Sequence, residues 1–586
     1  MTRGMPESRP AFLNVEASVA GRRWIGPSDE HDRLGQAIAQ ATGLPEIVGR
    51  ILAQRGVAPA EAAAYLAPAL RDLMPDPSRL RDMDRAAARF RAAAKRGERI
   101  AVFADYDVDG GASAALLIAW LRQMGRSATL YVPDRIEEGY GPNVPAMRRL
   151  GETHDLIVCV DCGTLSHEPI AAAGCDVIVL DHHLGAETLP PALAVVNPNR
   201  QDEDGALGHL CAAAVVFMML VAVNRLVRAE GATGPDLLSL LDLVALATVA
   251  DVAPLVGLNR ALVRQGLTVM ARGERPGIAA LAAVAGMSGP PSAYGLGFIL
   301  GPRVNAGGRI GAADLGARLL ATDDPHEAAA LAERLHALNA ERREIEAAVR
   351  AAAEAQAATR GDGPLVWAAG EGWHPGVVGI VAARLKETFG RPAIVIGLHG
   401  QEGKGSGRSV TGVDLGAGIA RLAREGLIQR GGGHRMAAGL SLARDQIEPA
   451  MARLGELLAA QGAAERPARS LRLDGVLAAG GATPELAACI VSAGPYGAGS
   501  PAPRLAVASA RIAGARRLGE SHVALTLADD AGGRLEAVAF RALEGPLGPF
   551  LLAGGAGRAH LAGRLERDEW AGRVRVKLQV EDAAPA

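Results

Sequence analysis

The chain has 586 residues, 49% of them hydrophobic, which suffices for several separate cores because single cores rarely grow past a few hundred residues. Its 62 Lys and Arg nearly balance 64 Asp and Glu, so the whole is not a basic nucleic-acid-coating protein and any cationic surface is local. Five cysteines, Cys159, Cys162, Cys175, Cys211 and Cys489, form an odd, uneven set that excludes a disulfide framework and fits a reducing compartment.

Met1 to Pro27 carries scattered charges and prolines without the continuous apolar core of a secretory signal. No stretch of about 18 uncharged apolar residues comes after it, so a soluble, cytoplasmic protein is expected. Residues 1–85 read as a helical region broken by Pro and Gly, as at Pro59 to Tyr65. From Arg99 the pattern alternates strand and helix. Apolar runs at Ile100 to Phe103, Thr129 to Val132, Leu156 to Val160 and Val177 to Leu180 are of strand length, with helical stretches such as Ala112 to Met124 between them. This predicts an α/β fold with a parallel sheet over 86–323, whose ligands bind beyond the carboxyl ends of the strands. Cys159 and Cys162 have a metal-site spacing, but strand alternation puts them on opposite faces and they read as small core residues.

Asp324 as N-cap, Pro325 at the first helical position and Glu327 at the third open a long helix over 324–361. Its apolar stripe Leu331, Leu335, Leu338, Ile345 and Val349 suits a spacer between domains. Beyond it, Leu365 to Ala368 and Ala393 to Ile396 read as strands, followed by glycine-rich stretches Gly403 to Gly412 and Gly431 to Gly439; a smaller α/β domain over 362–462 is expected. Over 466–583 the pattern turns to β, with Leu505 to Ile512, His522 to Leu527 and Val574 to Val580, which predicts a small barrel. Between Arg504 and Lys577 twelve basic side chains face eight acidic ones, a local excess suited to a phosphate backbone.

The residues that carry chemistry come directly after the strands. Ile100 to Phe103 leads into Asp105-Tyr-Asp107-Val-Asp109-Gly, Leu156 to Val160 into Asp161, and Val177 to Leu180 into Asp181-His182-His183; Asp251 ends the apolar run Leu243 to Ala250. Four such sites are expected on one sheet edge. Crowded carboxylates repel and raise one another's pKa values unless a cation neutralises them. Mixed carboxylate and imidazole donors without thiolate favour Mn²⁺ or Mg²⁺, and two ions sharing a bridge suit the donor number. Arg303, Arg309 and His434 are candidates for holding non-bridging phosphate oxygens. Ser406 and Arg408 fall in a glycine-rich stretch read as a loop whose N–H groups could cradle phosphate.

Together Asp-Tyr-Asp-Val-Asp-Gly, Val160-Asp161-Cys-Gly, Asp181-His182-His183 and Thr248-Val-Ala-Asp251-Val resemble the DHH phosphoesterases. Gly432-Gly-His434-Arg-Met-Ala-Ala-Gly439 resembles the signature of their companion DHHA1 domain, and the layout over roughly 50–580 resembles their branch of single-strand-specific 5′→3′ DNA exonucleases. Tyr131-Val-Pro-Asp-Arg135, Val196-Asn-Pro-Asn199, Gly301-Pro-Arg303-Val-Asn305-Ala-Gly-Gly-Arg309 and Gly403-Lys-Gly-Ser406-Gly-Arg408 also match; Cys162, where many relatives have Asn, and Gly307, where Ala is usual, are small departures. The resemblance implies Asp107, Asp109, Asp161, His182 and Asp251 as metal ligands, with Asp105 and His183 in or just behind them. It implies His183, Arg303, Arg309 and His434 as catalytic groups, and Arg135, Asn305, Ser406 and Arg408 as contacts to the strand. It implies a C-terminal OB-fold, although that segment offers only Phe540, Phe550 and Trp570 for stacking. It further implies work in recombination and repair beside a helicase and a single-strand-binding protein; a monomer is expected. Two other readings stand beside it: a DHH phosphodiesterase for short oligonucleotides or cyclic dinucleotides, and a non-catalytic strand-binding scaffold.

Overall fold

The computed structural model describes residues 10–135, 137–464, 469–555, 557–570 and 573–586. They divide into two units, one of Pro75–Pro254 and Leu262–Arg466, the other of Met1–Met74, Leu255–Ala261 and Pro467–Ala586.

The larger unit begins with a sheet of five parallel strands: β1 (Ile100–Ala104), β2 (Thr129–Tyr131), β3 (Leu156–Val160), β4 (Asp176–Leu180) and β5 (Ala194–Val196), in the order β2-β1-β3-β4-β5. β1 and β3 are buried along their whole length, as the unbroken apolar runs require of strands covered on both faces. Helix α1 (Val108–Gln123) starts four residues earlier than its apolar core suggests, because Asp107 caps it. α2 (Ala212–Ala229) is long and apolar enough to cross a membrane, yet two-thirds of it is buried inside the fold. Among the further helices of this unit are α3 (Leu241–Ala250), α4 (Gly301–Ile310) and the 35-residue α5 (Pro325–Thr359). Asp324 caps α5 through His326 N at 2.8 Å. The stripe on α5 is a packing surface for two layers: Leu331, Leu335 and Leu338 are buried towards its start, while Val349, Ala353 and Ala357 join a second core with Val366, Val377 and Val395.

That second core belongs to a mixed sheet of β6 (Val366–Glu371), β7 (Ala393–His399), β8 (Glu402–Arg408), β9 (Arg430–His434) and β10 (Ala437–Ala443), in the order β9-β10-β8-β7-β6. α6 (Pro375–Phe389) links β6 to β7, its parallel neighbour; the other pairings are antiparallel. Both glycine-rich stretches, the first of them expected as a loop, are largely these strands. In β8 the glycines alternate with Lys404, Ser406 and Arg408, since a Cβ at Gly405 or Gly407 would meet Leu440, Ile396, Ile394 and Leu415 at 2.5–3.1 Å.

The smaller unit is built on β11 (Gly475–Leu477), β12 (Leu505–Leu518), β13 (His522–Ala528), β14 (Arg534–Ala539), β15 (Ala559–Trp570) and β16 (Arg573–Pro585). The order β11-β12-β13-β14-β16-β15, with β12 also pairing β15, closes a five-stranded barrel onto which β11 adds. Residues expected as a separate N-terminal region share its core. Ile38, Val48, Ile51 and Leu52, from the helices Asp29–Thr42 and Glu46–Gln54, pack with Ile490, Ala493 and Leu505. A strand not foreseen, Arg23–Ile25, pairs with Ser470–Arg472.

Candidate metal centre and strand-binding cleft

The carboxyl ends of β1, β3 and β4 bring together the acids and imidazoles that follow them. Asp107 accepts from Asp109 N at 2.8 Å and Gly110 N at 3.1 Å, so one carboxylate both caps α1 and faces the centre. Gly110 is needed because a Cβ there would lie 2.4 Å from Asp105 O. Asp109, 1% exposed, accepts from Ala212 N at 2.7 Å and Ala213 N at 2.8 Å at the start of α2. Asp161 sits just past β3 at φ +59°, a left-handed conformation that costs most residues energy and that Asp tolerates.

His182 is the hub. Its Nε2 lies 3.2 Å from Asp161 Oδ1, 3.7 Å from Asp109 Oδ2 and 3.8 Å from Asp251 Oδ2. Three overlapping sets, Asp161/His182/His183, Asp109/His182/Asp251 and Asp105/Asp107/Asp161, each place one donor atom per residue within 4.8 Å of the others. The expected ligand set is therefore together in space, with one correction to its origin: Asp251 comes from the end of α3, a helix, and only three of the four sites leave a sheet strand.

Around the ligands runs a layer that fixes the two imidazoles. Asp181 accepts from His182 N at 2.8 Å, His183 N at 3.2 Å, His183 Nδ1 at 2.8 Å and Thr164 N at 3.1 Å. Asn199 Nδ2 donates to His182 O at 2.7 Å, and Asn197 Nδ2 to His183 O at 2.8 Å. Tyr140 Oη donates to Asp161 O at 3.0 Å and lies 3.2 Å from His183 Nδ1. The sequence pattern assigned no role to Asp181 or Tyr140. An Asp beside two His shows no sign of which of the three turns inward, and Tyr140 is forty-odd positions from the histidine it touches.

The electrostatics ask for a cation. Burial, then the charges of Asp109, Asp107 and Asp105, push Asp161 well above the usual carboxylate range. Burial and Asp107 do the same to Asp105, and burial with Asp109 and Asp107 raises Asp251 to about 8. Asp181 goes the other way: burial alone would raise it, but the bonds from His183 and Thr164 outweigh that and lower it. Asp105 Oδ1 and Asp161 Oδ1 are buried without a hydrogen-bond partner, which in a low-dielectric site is costly unless an ion meets them. Oxygen and imidazole donors without thiolate fit Mn²⁺ or Mg²⁺. Cys159 and Cys162 are both fully buried in one core cluster, on the same side of the sheet, because the turn at Asp161 breaks the strand alternation.

Beside the centre an open cleft is lined by Tyr106, Arg135 and Tyr140 on one side and by Lys404, Arg430 and the β9-β10 glycines on the other. Arg135 lies over the Tyr106 ring at 5.0 Å. Arg309 Nη1 donates to Gly376 O at 3.1 Å; burial, then the charges of Arg135 and Arg342, bring it down to about 10. Arg408 Nη1 donates to Ser406 Oγ at 3.1 Å, beside Gly379 of α6. Ser406 and Arg408 contribute side chains only, since their strand is paired on both edges and its N–H groups are not available as a cradle. Asn305 Oδ1 accepts from Val108 N at 3.0 Å and so holds the Asp107–Asp109 turn. Arg303 turns away from the acids, donating to Ile299 O at 2.7 Å and to His336 Nδ1 at 3.4 Å. His434 is exposed at the end of β9. In the barrel Phe540 is 50% exposed and Phe550 packs against the core; the side chain of Trp570 lies outside the described residues.

A parallel sheet delivering aspartates and paired histidines to one edge, followed by a smaller mixed sheet across a basic cleft, defines a DHH-type metallophosphoesterase. Matches to the DHH family, N-terminal domain (residues 99–248), the DHHA1 domain (362–460) and the RecJ OB domain (473–582) accord with this. The single-stranded-DNA-specific exonuclease RecJ of Dickeya dadantii is 41% identical over 438 residues, 71% of this chain and 75% of that protein; its Bacillus subtilis counterpart is 32% identical over 572 residues, 96% and 71%. The crystal structure of RecJ in complex with Mn²⁺ from Thermus thermophilus superposes with a TM-score of 0.79 at 31% identity, covering 94% of this chain and 78% of that one. The chain belongs to the RecJ family.

Proposed function

We propose that the protein is a Mn²⁺- or Mg²⁺-dependent exonuclease that hydrolyses single-stranded DNA from the 5′ end to 5′-mononucleotides. The observation that carries this is the convergence of three donor sets on His182 and Asp161 at the mouth of a basic cleft. Divalent ions held there supply a water of lowered pKa and charge stabilisation on the attacking and leaving oxygens.

The chain's own residues set the stage for that chemistry. Asp107, Asp109, Asp161, His182 and Asp251 hold the ions, Asp105 and His183 stand at their edge, and two ions suit the number of donors. Asp181 and the Tyr140 hydroxyl fix the His183 ring, so that it meets the reacting phosphate in one orientation. Arg309, held by the start of α6 and acted on by the charge of Asp107, counters charge on a non-bridging oxygen. Arg135, Ser406 and Arg408 hold a 5′-terminal phosphate, and a bound end sets the direction of digestion. A single-stranded substrate suits supply by a helicase and work beside a single-strand-binding protein in recombination and repair. A monomer in the cytoplasm suffices for this role.

The test is digestion of matched single- and double-stranded oligonucleotides labelled at either end, with Mn²⁺, Mg²⁺ or EDTA. Mononucleotides released from the 5′ ends of single strands, with metal only, are expected. Cleavage confined to oligonucleotides of a few residues would overturn the reading in favour of a short-substrate phosphodiesterase; strand binding without cleavage would overturn it in favour of a scaffold.

A further inference from the structure

The helix carrying Arg303 and Arg309 is preceded by a wider π-turn, Gly295–Leu300, a feature frequent at functional sites. On its outer side Tyr294 and Phe298 are 66% and 71% exposed and stack on each other, with ring centroids 5.0 Å apart and planes 25° from parallel. Two large rings left in water contribute little of the burial energy for which aromatics are otherwise used. What they present is a flat π surface.

The backbone beneath that surface packs on α3, the helix that ends at Asp251. Gly297, between the two rings, approaches α3 so closely that a Cβ there would lie 3.3 Å from Val249 Cγ1, and Val249 is two residues from Asp251. Val252, the residue after Asp251, is itself 69% exposed at φ +60°. On the next turn of the helix, Arg303 stands beside His336, and the charge acting on it is another cation, Arg343. Rings beside cations at the edge of a phosphodiester-cleaving centre match a single strand, whose bases stack and whose phosphates pair with positive charge.

The order along the helix says which part of the strand. Arg309, on which the charges of Arg135 and Asp107 act, is eleven residues beyond Phe298, about 16 Å at 1.5 Å per residue, and Asn305, which holds the Asp107–Asp109 turn, lies between. With the 5′ phosphate at Arg135, which acts on Arg309, the aromatic pair lies at the opposite end of this stretch, the end that packs on α3 just before Asp251. We propose that Tyr294 and Phe298 form a stacking platform for a nucleobase on the 3′ side of the bond being cut, with Arg303 facing a neighbouring phosphate. This rests on the 5′-end assignment above; the platform's existence does not rest on cleavage.

The test uses the full chain in EDTA, so that strands bind without being cut. A 5′-phosphorylated 12-residue single strand carries 2-aminopurine, or an abasic residue, at each position in turn. In the unaltered protein one internal position is expected to show quenched fluorescence, and an abasic residue there to weaken binding on the order of tenfold. In Tyr294→Leu/Phe298→Leu both effects should disappear, while Tyr294→Phe keeps them because a phenyl ring stacks as a phenol does. Matching melting curves show that the variants are folded, as expected for exposed positions. Equal quenching and equal abasic penalty in the unaltered and leucine proteins would overturn the platform. Quenching lost in the leucine variant, but at the 5′-terminal base, would overturn its place on the strand. Cleavage assays with metal report on the exonuclease reading separately.

Discussion

Asp161 combines a left-handed backbone, full burial and a carboxylate oxygen without a hydrogen bond, three costs that a bound cation offsets together. Replacing partners behind a metal ligand commonly costs ten- to hundredfold in affinity or activity, so removing the ligand costs at least about a hundredfold. Asp161→Ala is accordingly expected to abolish metal-dependent release of nucleotides while the protein still binds a labelled strand; turnover within tenfold of the unaltered protein would refute the assignment. Arg408 acts on a different quantity. It is half-buried against Ser406 and α6, and Arg408→Ala should reduce the preference for 5′-phosphorylated over 5′-hydroxyl ends by about tenfold, the worth of one charge-assisted bond. Competition between the two substrates reads this directly. Legibility at this scale followed position relative to the strands: Asp107, Asp109, Asp161 and His182 were readable because each follows an apolar run. The parts played by Asp181, Tyr140 and Asn305 were not, because they depend on which way a side chain turns.

At the scale of elements, the cleft depends on how closely α4 and α6 approach. Gly376, at the start of α6, lies so near α4 that a Cβ there would be 2.2 Å from Arg309 O. Gly376→Ala must push the two apart, at a cost of about 1–3 kcal/mol as for other overpacked contacts. Since this shift displaces Arg309 relative to Ser406 and Arg408, KM for a long single strand should rise, about tenfold, while Mn²⁺ binding by calorimetry stays intact. Unchanged KM would show that the approach of these helices does not shape the cleft. The glycine-rich stretches teach a related lesson. The one with Ser406 and Arg408, read as a loop from composition, is a strand, because β8 lies between two partners and its glycines let the sheet close on Ile394, Ile396 and Leu440.

Across the whole molecule, charge and packing have two further consequences. Carboxylates whose pKa is raised in the fold bind protons more tightly there than in the unfolded chain, so the metal-free protein loses stability as pH climbs from the ordinary value of 3.8 through the raised one, about 8 for Asp251. Metal competes with those protons. The rise in melting temperature on adding Mn²⁺ should therefore be larger at pH 8 than at pH 5.5; a shift independent of pH would mean that these acids do not bind it. The smaller unit, in turn, is made of both ends of the chain, with Ile51 and Leu52 packed against Ile490 and Leu505. A chain ending at residue 464 leaves that face of the N-terminal helices bare. Limited proteolysis should cut such a chain within the helices Asp29–Thr42 and Glu46–Gln54 and spare them in the full-length protein; equal protection in both would show that they stand without the barrel.

Local sequence pattern was enough to set the strand-and-helix alternation, the acids that follow three of the strands, the long capped helix and the β character of the last segment. Hydrophobic period, capping residues and the residue after a strand are all fixed within a few positions. Packing of distant segments was needed to bring Asp251 to the centre from a helix, to turn Arg303 from the acids, to hold Arg309 against Gly376, to leave Tyr294 and Phe298 exposed on the turn before α4, and to join the two ends of the chain in one core. Each of these depends on contacts between residues tens to hundreds of positions apart, where a side chain's partner is fixed by how whole elements pack and not by its neighbours along the chain.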